Sequence, residues 1–357
     1  MTAFDEAEGF ASPTTVLTPA EKELSDRVDG GLERIEDGLR EDVAFASPVA
    51  DAVARYLLEA GGKRIRPRLT LLASELGSGA NENVIIAARA IEITHLASLY
   101  HDDVMDEAIL RRGITAAHMT WSNNVAILAG DLLFARASKL ISHLGERAIR
   151  LQADTFERLC LGQLHETVGP APGEDPVEHY MGVLSDKTGS LISLAAQMGV
   201  VFSEAPSEYE KPVVEYGHKL GVAFQLIDDV IDLSPSSGET GKRAGTDLRA
   251  GVVTLPLLLL RKNAQNSVAD ATLLARIEEE RAQALVAQEE GEPLPAENDV
   301  DFETVVTALR QHEVTRETQR VAERWGAEAI AALDVLPDGQ VKQSLIKLAD
   351  SVINRTH

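Results

Sequence analysis

Apolar residues recur three and four positions apart along almost the whole chain. The pattern holds in 49–60, 68–76, 84–101, 125–144, 151–165, 179–200, 212–233, 252–262 and 302–333. That spacing predicts helices with one buried stripe. Alternating Val, Ile and Thr are scarce, and no Asn-Gly or Asp-Gly pair separates two candidate strands. The expected fold is therefore all-α, a single large helical bundle domain over residues 18–357. Its first start signal is Thr18-Pro19-Ala20-Glu21. Thr18 can cap, Pro19 suits the first helical position, and Glu21 completes a capping box. Residues 1–17 are small and polar and read as a disordered tail. Breaks are expected at Gly61-Gly62, Gly77 to Asn83, Gly113, Gly169 to Pro176, Ser203 to Pro206 and Ser234 to Gly245. The acidic stretch 277–301 reads as a solvated helix followed by a loop.

Charge narrows the function. The 357 residues include 57 Asp and Glu against 34 Lys and Arg, a formal net charge of −23. A nucleic-acid binder needs a basic face, and so does adhesion to anionic lipid. Neither partner is expected. Cys160 is the one cysteine, so an intrachain disulfide and a Cys-rich zinc site are both excluded. The longest apolar run, Val252 to Leu260, is interrupted by Pro256 and is too short to span a bilayer. No secretory signal is legible in residues 1–17. A soluble, cytoplasmic protein without stable membrane insertion is expected.

One internal echo carries chemistry. Asp102-Asp103-Val104-Met105-Asp106 and Asp228-Asp229-Val230-Ile231-Asp232 share the form Asp-Asp-x-x-Asp, and each closes an apolar helical stretch. On a helix, residues four apart lie on one face. Asp102 and Asp106 thus point the same way, as do Asp228 and Asp232. Like charges so placed destabilise a helix, and a counter-cation is the natural remedy. One such triplet in so acidic a chain would read as a solvated helix end. Two copies on apolar helices point to metal. Oxygen donors without His or Cys favour a hard ion, Mg²⁺ before Ca²⁺, which is commonly shared with substrate phosphates.

Cations that could hold the rest of such an anion cluster at helix ends. They are Gly61-Gly62-Lys63-Arg64-Ile65-Arg66-Pro67, Arg111-Arg112-Gly113, Asp186-Lys187-Thr188-Gly189 and Thr240-Gly241-Lys242-Arg243. Lys63 and Arg66 could grip one anion if their segment is helical. None of these matches a Walker loop.

Taken in order, these segments, with Phe224-Gln225-x-x-Asp228-Asp229-x-x-Asp232, resemble the signature set of the trans-isoprenyl (polyprenyl) diphosphate synthases. The resemblance runs from about residue 50 to 260. It implies the isoprenoid synthase fold with a central cavity, usually as a homodimer. It also implies head-to-tail condensation of isopentenyl diphosphate with an allylic diphosphate. Asp102, Asp106 and Asp228, with Asp103, Asp229 and Asp232 beside them, would hold two or three Mg²⁺ ions, sites that Mn²⁺ or Ca²⁺ can also fill. Arg111, Lys187, Thr188, Gln225 and Lys242 would contact the allylic diphosphate. Lys63, Arg66, His95 and Arg112 would bind isopentenyl diphosphate. Without the resemblance, His95 reads as a core histidine. One departure stands out. Val252 occupies a position where many relatives carry a diphosphate-binding lysine.

In this family a bulky aromatic four or five residues before the first aspartate closes the tail channel. Here Ala97 and Ser98 are small, so a medium- to long-chain all-trans product is expected, with the channel floor around Phe134. The alternatives are a short-chain farnesyl or geranylgeranyl diphosphate synthase, a class I terpene cyclase, or a non-catalytic helical subunit. A cyclase would carry an Asn/Asp-Ser/Thr-Glu motif in place of the second triplet. A non-catalytic subunit would have lost ligands that this chain keeps.

Overall fold

The computed structural model describes residues 18–234, 244–290 and 296–355. Lys242 and the tail 1–17 lie outside them. The described chain is helical nearly throughout. In order come α1 (Pro19–Asp42), α2 (Pro48–Glu59), α3 (Ile65–Ser74), α4 (Glu82–Met105), α5 (Ala117–Thr120), α6 (Asn123–Ser142), α7 (Glu146–Val168), α8 (Pro176–Leu184) and α9 (Ser190–Phe202). These are followed by α10 (Glu210–Asp232), α11 (Thr246–Arg249), α12 (Leu255–Ala264), α13 (Val268–Glu290), α14 (Ala296–Gln311), α15 (Glu313–Ala332) and α16 (Gln340–Ile353). Among the described residues no helix is long and apolar enough to cross a membrane.

Start signals act as read. The Thr18 hydroxyl accepts from the Glu21 N–H at 3.3 Å, and the Glu21 carboxylate accepts from the Thr18 N–H at 2.8 Å. Asn81 caps α4 and Asp175 caps α8 in the same manner. Three expectations need revision. The run 179–200 is interrupted by a π-helical turn, Ser185–Gly189. The run 302–333 breaks at His312 into α14 and α15. The acidic stretch is not solvated all round, because Ile277 and Arg281 of α13 are buried. Arg281 reaches inward to the Gly251 carbonyl and also pairs with Glu278.

The chain divides into two compact units. One holds the described residues up to Cys160 with Gly189–His218 and Ala329–Ser351. The other holds Leu161–Thr188, Lys219–Glu328 and the described residues from Val352. In the first, α4 is buried nearly all round, through Ile85, Ile91, Ile93, Leu96 and Tyr100 among others. It packs along α6 and against α9, α3 and α1. Close approach explains two glycines. A Cβ on Gly130 would lie 2.3 Å from His101 Nε2, and one on Gly199 would lie 2.3 Å from the Thr70 carbonyl oxygen. The second unit has two apolar clusters. Leu233, Leu257, Leu260, Ile277, Phe302 and Leu309 build one. Leu184, Val222, Leu226, Ile227, Leu255 and Ala322 build the other.

One strand pair, β1 (Leu110–Arg111) and β2 (Ile114–Thr115), follows α4. Its two-residue turn is Arg112-Gly113, with φ of 53° and 77°. Positive φ at both central residues is what a type I′ hairpin turn requires. With arginine at the first of them, the turn lacks the Asn-Gly or Asp-Gly pair that marks a hairpin in sequence.

Candidate active site

In the first unit the acidic cluster closes α4. Asp103 is wholly buried. Its Oδ1 accepts from Arg111 Nε at 2.6 Å, while its Oδ2 is buried without a hydrogen-bond partner. Burial pushes this carboxyl up, against the pull of the Arg111 guanidinium. Asp102 is half-buried and Asp106 exposed, and the helix stops between them and the hairpin. The hairpin is what returns Arg111 to Asp103.

The basic residues gather beside it. Gly61 and Arg64 have φ of 85° and 47°, so α3 begins only at Ile65. Lys63 therefore does not share a helical face with Arg66, contrary to the helical reading of that segment, and its side chain is exposed. Arg112 donates to the Leu57 carbonyl at 2.8 Å and to the Gly61 carbonyl. A Cβ on Gly62 would sit 2.8 Å from Arg64 Nη1 and 3.1 Å from the Arg112 guanidinium carbon, so glycine makes room for both. Arg64 pairs with Glu36 and Glu92. Together these acids outweigh burial and raise its pKa. Burial brings Arg66 down to about 10, with Arg112 adding to the fall and Glu92 opposing it. Burial also holds His95 well below its ordinary value, helped by Arg66, Arg112, Arg111 and Arg64. His95 is neutral at physiological pH and sits in a cationic field. Arg66, His95, Arg111 and Arg112, drawn from three separate sequence segments, are thus brought together.

In the second unit the matching cluster closes α10. Asp229 is 2% exposed, and its Oδ2 accepts from the Tyr180 hydroxyl at 2.5 Å. Burial pushes its carboxyl well up, with Asp247 and Asp232 adding to the rise. Asp228 is half-buried and paired with Arg355, whose guanidinium also covers the Phe224 ring at 4.8 Å. Asp232 accepts from the backbone N–H groups of Thr246 and Asp247 at 3.2 and 3.1 Å. The π-helical turn carries Lys187 and Thr188, a setting often found at functional sites. Lys187 pairs with Glu166, and the Thr188 hydroxyl donates to Gln225 Oε1 at 3.3 Å. Val252 lies exposed in the turn after α11, its N–H bonded to the Asp247 carbonyl at 2.9 Å.

Ala97 and Ser98 are both buried in α4, with the Ser98 hydroxyl donating to the His95 carbonyl. Phe134 packs on Phe156, with ring centroids 4.4 Å apart, and on His101.

Both acidic clusters offer carboxylate oxygen alone. Among the described residues no three acidic, histidine or cysteine groups converge as an all-protein metal cage. Mg²⁺ does not ask for one. It keeps waters, takes one or two carboxylates and shares itself with phosphate. The unpartnered, buried Oδ2 of Asp103 is one such available donor. The donor set suits a hard divalent ion.

Glu36, Glu92, Glu166, Tyr180, Asp247 and Arg355 were not singled out from sequence. Glu92 had a signal, an acid one turn before His95 on an otherwise apolar helix. Asp247 had one too, as the acid that opens the Asp247-Leu248-Arg249 segment, 15 residues after Asp232. Glu36, Tyr180, Glu166 and Arg355 had none, since only the fold brings them to the clusters.

Comparison with known proteins gives a consistent answer. The polyprenyl synthetase family model matches residues 47–289. Nonaprenyl diphosphate synthase of Mycobacterium tuberculosis is 38% identical over 329 residues, 92% of this chain and 93% of that protein. A geranylgeranyl pyrophosphate synthase from Corynebacterium glutamicum, solved with calcium and isoprenyl diphosphate, is 37% identical. It superimposes with a TM-score of 0.78, covering 96% of this chain and 99% of that one. A polyprenyl synthase from Caulobacter crescentus, also solved with calcium and isoprenyl diphosphate, has a TM-score of 0.79 at 28% identity, covering 96% and 100%. The paired aspartate triplets, the arginine-ringed histidine and these likenesses agree: the chain belongs to the polyprenyl synthetase family and is a trans-isoprenyl diphosphate synthase, a prenyltransferase.

Proposed function

We propose that this enzyme extends an allylic diphosphate with isopentenyl diphosphate, head to tail, to a medium- or long-chain all-trans polyprenyl diphosphate. The observation that carries the assignment is Arg111. It is bonded to Asp103 of the first acidic cluster and belongs to the guanidinium group around His95. An acidic, metal-seeking set and a basic, diphosphate-seeking set therefore share one residue.

Roles follow from chemistry. Asp102, Asp103, Asp106, Asp228 and Asp232 are the candidate Mg²⁺ ligands, with Asp229 beside them. When bound, a divalent ion supplies Lewis-acid stabilisation of the departing diphosphate. Arg111, Lys187, Thr188, Gln225 and Lys242 bind the allylic diphosphate. Lys63, Arg66, His95 and Arg112 bind isopentenyl diphosphate. Two Arg112 donations to backbone carbonyls fix the plane of its guanidinium before substrate arrives. A neutral His95 can donate to a phosphate oxygen without adding charge to the crowd of arginines. Apolar helix faces exclude the water that would trap an allylic cation.

Small side chains at Ala97 and Ser98 support the longer product, as does likeness to a nonaprenyl diphosphate synthase. A homodimer is proposed as well. Ile127, Leu128 and Leu132 of α6 are 40%, 60% and 36% exposed and would be covered in it.

The test is to incubate the purified protein with Mg²⁺, labelled isopentenyl diphosphate and each allylic primer, then size the products. Medium- or long-chain products are expected, and exclusively short ones would overturn the length assignment. Asp102→Ala and Asp228→Ala should each lower turnover by orders of magnitude while remaining folded. Near-normal incorporation by either would refute the site.

A further inference from the structure

Two hydrogen bonds tie α8 and the π-helical turn after it to the last turns of α10. The Tyr180 hydroxyl donates to Asp229, and the Thr188 hydroxyl donates to Gln225. Gln225 and Asp229 are four apart on α10 and so share one face, a turn from each other. Tyr180 and Thr188 lie on either side of Lys187. The two bonds are rungs of a short ladder. It links the turn that carries the diphosphate lysine to the helix end that carries Asp228 and Asp232.

The Tyr180 rung is the stronger one. Asp229 is 2% exposed, and a buried carboxylate without donors is costly. Tyr180 is packed on the apolar cluster of Leu184, Val222 and Leu226, so its ring is held while its hydroxyl reaches α10. The two neighbouring aspartates have different partners. Asp228 is half-buried and meets a cation, Arg355, which another cation can replace. Asp229 meets a neutral donor buried alongside it, and displacing that donor would strand a hydroxyl. Consecutive helical residues point about 100° apart, so anchoring one sets the direction of the next.

We propose that Tyr180 is a positioning residue for the second acidic cluster: its hydroxyl pins Asp229 inward, which aims Asp228 at the metal ion and keeps the Lys187 turn in register with it. This rests on the metal-binding reading above. Asp229 is then an anchor of the cluster rather than a ligand.

The measurement is Mn²⁺ binding in the presence of inorganic pyrophosphate, followed by loss of the free-ion paramagnetic resonance signal. Tyr180→Phe removes one oxygen and keeps the ring. It should weaken Mn²⁺ binding about tenfold, the scale of a bond to a charged acceptor, in protein whose far-UV circular dichroism matches wild type and whose melting temperature falls through the stripped carboxylate. In turnover the Mg²⁺ requirement should rise, with KM for isopentenyl diphosphate unmoved, because Arg66, His95 and Arg112 lie on other elements. Should Tyr180→Phe not fold, 3,5-difluorotyrosine at position 180 keeps the shape and is a stronger donor, and it should tighten Mn²⁺ binding. Wild-type binding that either substitution leaves unchanged overturns the proposal alone. Wild-type protein that binds no Mn²⁺ with pyrophosphate overturns both the proposal and the metal-binding reading beneath it.

Discussion

Arg111→Met is the sharpest test of how the first cluster is built. Asp103 has no exposed surface, and one of its oxygens depends on Arg111 Nε at 2.6 Å while the other has no partner. Removing one member of a buried pair leaves a buried charge uncompensated, at about 3–5 kcal/mol. Arg111 is itself 31% exposed, so water can follow the lost side chain inward. That lowers the expectation to about 2–3 kcal/mol, still above the ~0–1 kcal/mol of a surface pair. The assay is urea unfolding followed by circular dichroism, on Arg111→Met, Asp103→Asn and the double variant. If the loss comes from a stranded charge, the double variant should be more stable than Arg111→Met by at least about 1 kcal/mol, since a neutral amide needs no counter-charge. A double variant no more stable than the single one would refute the reasoning. So would a loss in Arg111→Met below about 1 kcal/mol.

Three further outcomes follow from separate parts of the molecule. The fully buried Tyr100 hydroxyl accepts from the Leu57 N–H at 3.2 Å and donates to the Val53 carbonyl, so Tyr100→Phe should cost about 1–3 kcal/mol in chemical denaturation. A loss below about 0.5 kcal/mol would sink that account. The Glu21 carboxyl is lowered from its ordinary 4.5 to about 2, first by Lys347 and then by the Thr18 N–H and hydroxyl. A depressed acid stabilises above its unfolded pKa and loses that contribution as pH falls through its folded one. The melting-temperature gap between wild type and Glu21→Gln should therefore be full above pH 4.5 and close toward pH 2; a gap constant across that window contradicts it. Ala97→Phe should shorten the prenyl product, read by chromatography of the extracted chains, and an unchanged profile would defeat the channel assignment.

Much of the fold was legible because helix formation here is local. The Thr18 capping box, the glycine breaks and the three-and-four spacing are all short-range signals, and the described helices follow them apart from the interruptions at Ser185–Gly189 and His312. What was missed was set by tertiary demands. The π-helical turn at Lys187 comes with the fit of Gly162 on α7, where a Cβ would lie 2.7 Å from the Lys187 backbone nitrogen. The acidic composition of 277–301 puts Arg281 on a solvated face, yet its inward bond to the Gly251 carbonyl takes it into the core. At the site, aspartates and arginines could be named from spacing because the chemistry demands those types in those patterns. Glu36, Tyr180 and Arg355 could not. Their neighbours are 28 residues away for the Arg64–Glu36 pair and 49 for Tyr180–Asp229, and no periodicity encodes such pairs.

The two Asp-Asp-x-x-Asp triplets look like copies, yet the protein handles their middle residues in opposite ways. Asp103 is neutralised by a cation, and Arg112 adds positive potential to it. Asp229 receives only a neutral phenol and a backbone N–H, and it feels two further carboxylates, Asp232 and Asp247. At the middle position, then, the first cluster is met by a guanidinium and the second by neutral donors. Asp228 beside it is paired with the Arg355 guanidinium, a cation whose place a divalent ion would take with twice the charge. Sequence alone presents these triplets as equivalent, and it is the buried partners of Asp103 and Asp229, a guanidinium for one and a phenol for the other, that tell them apart.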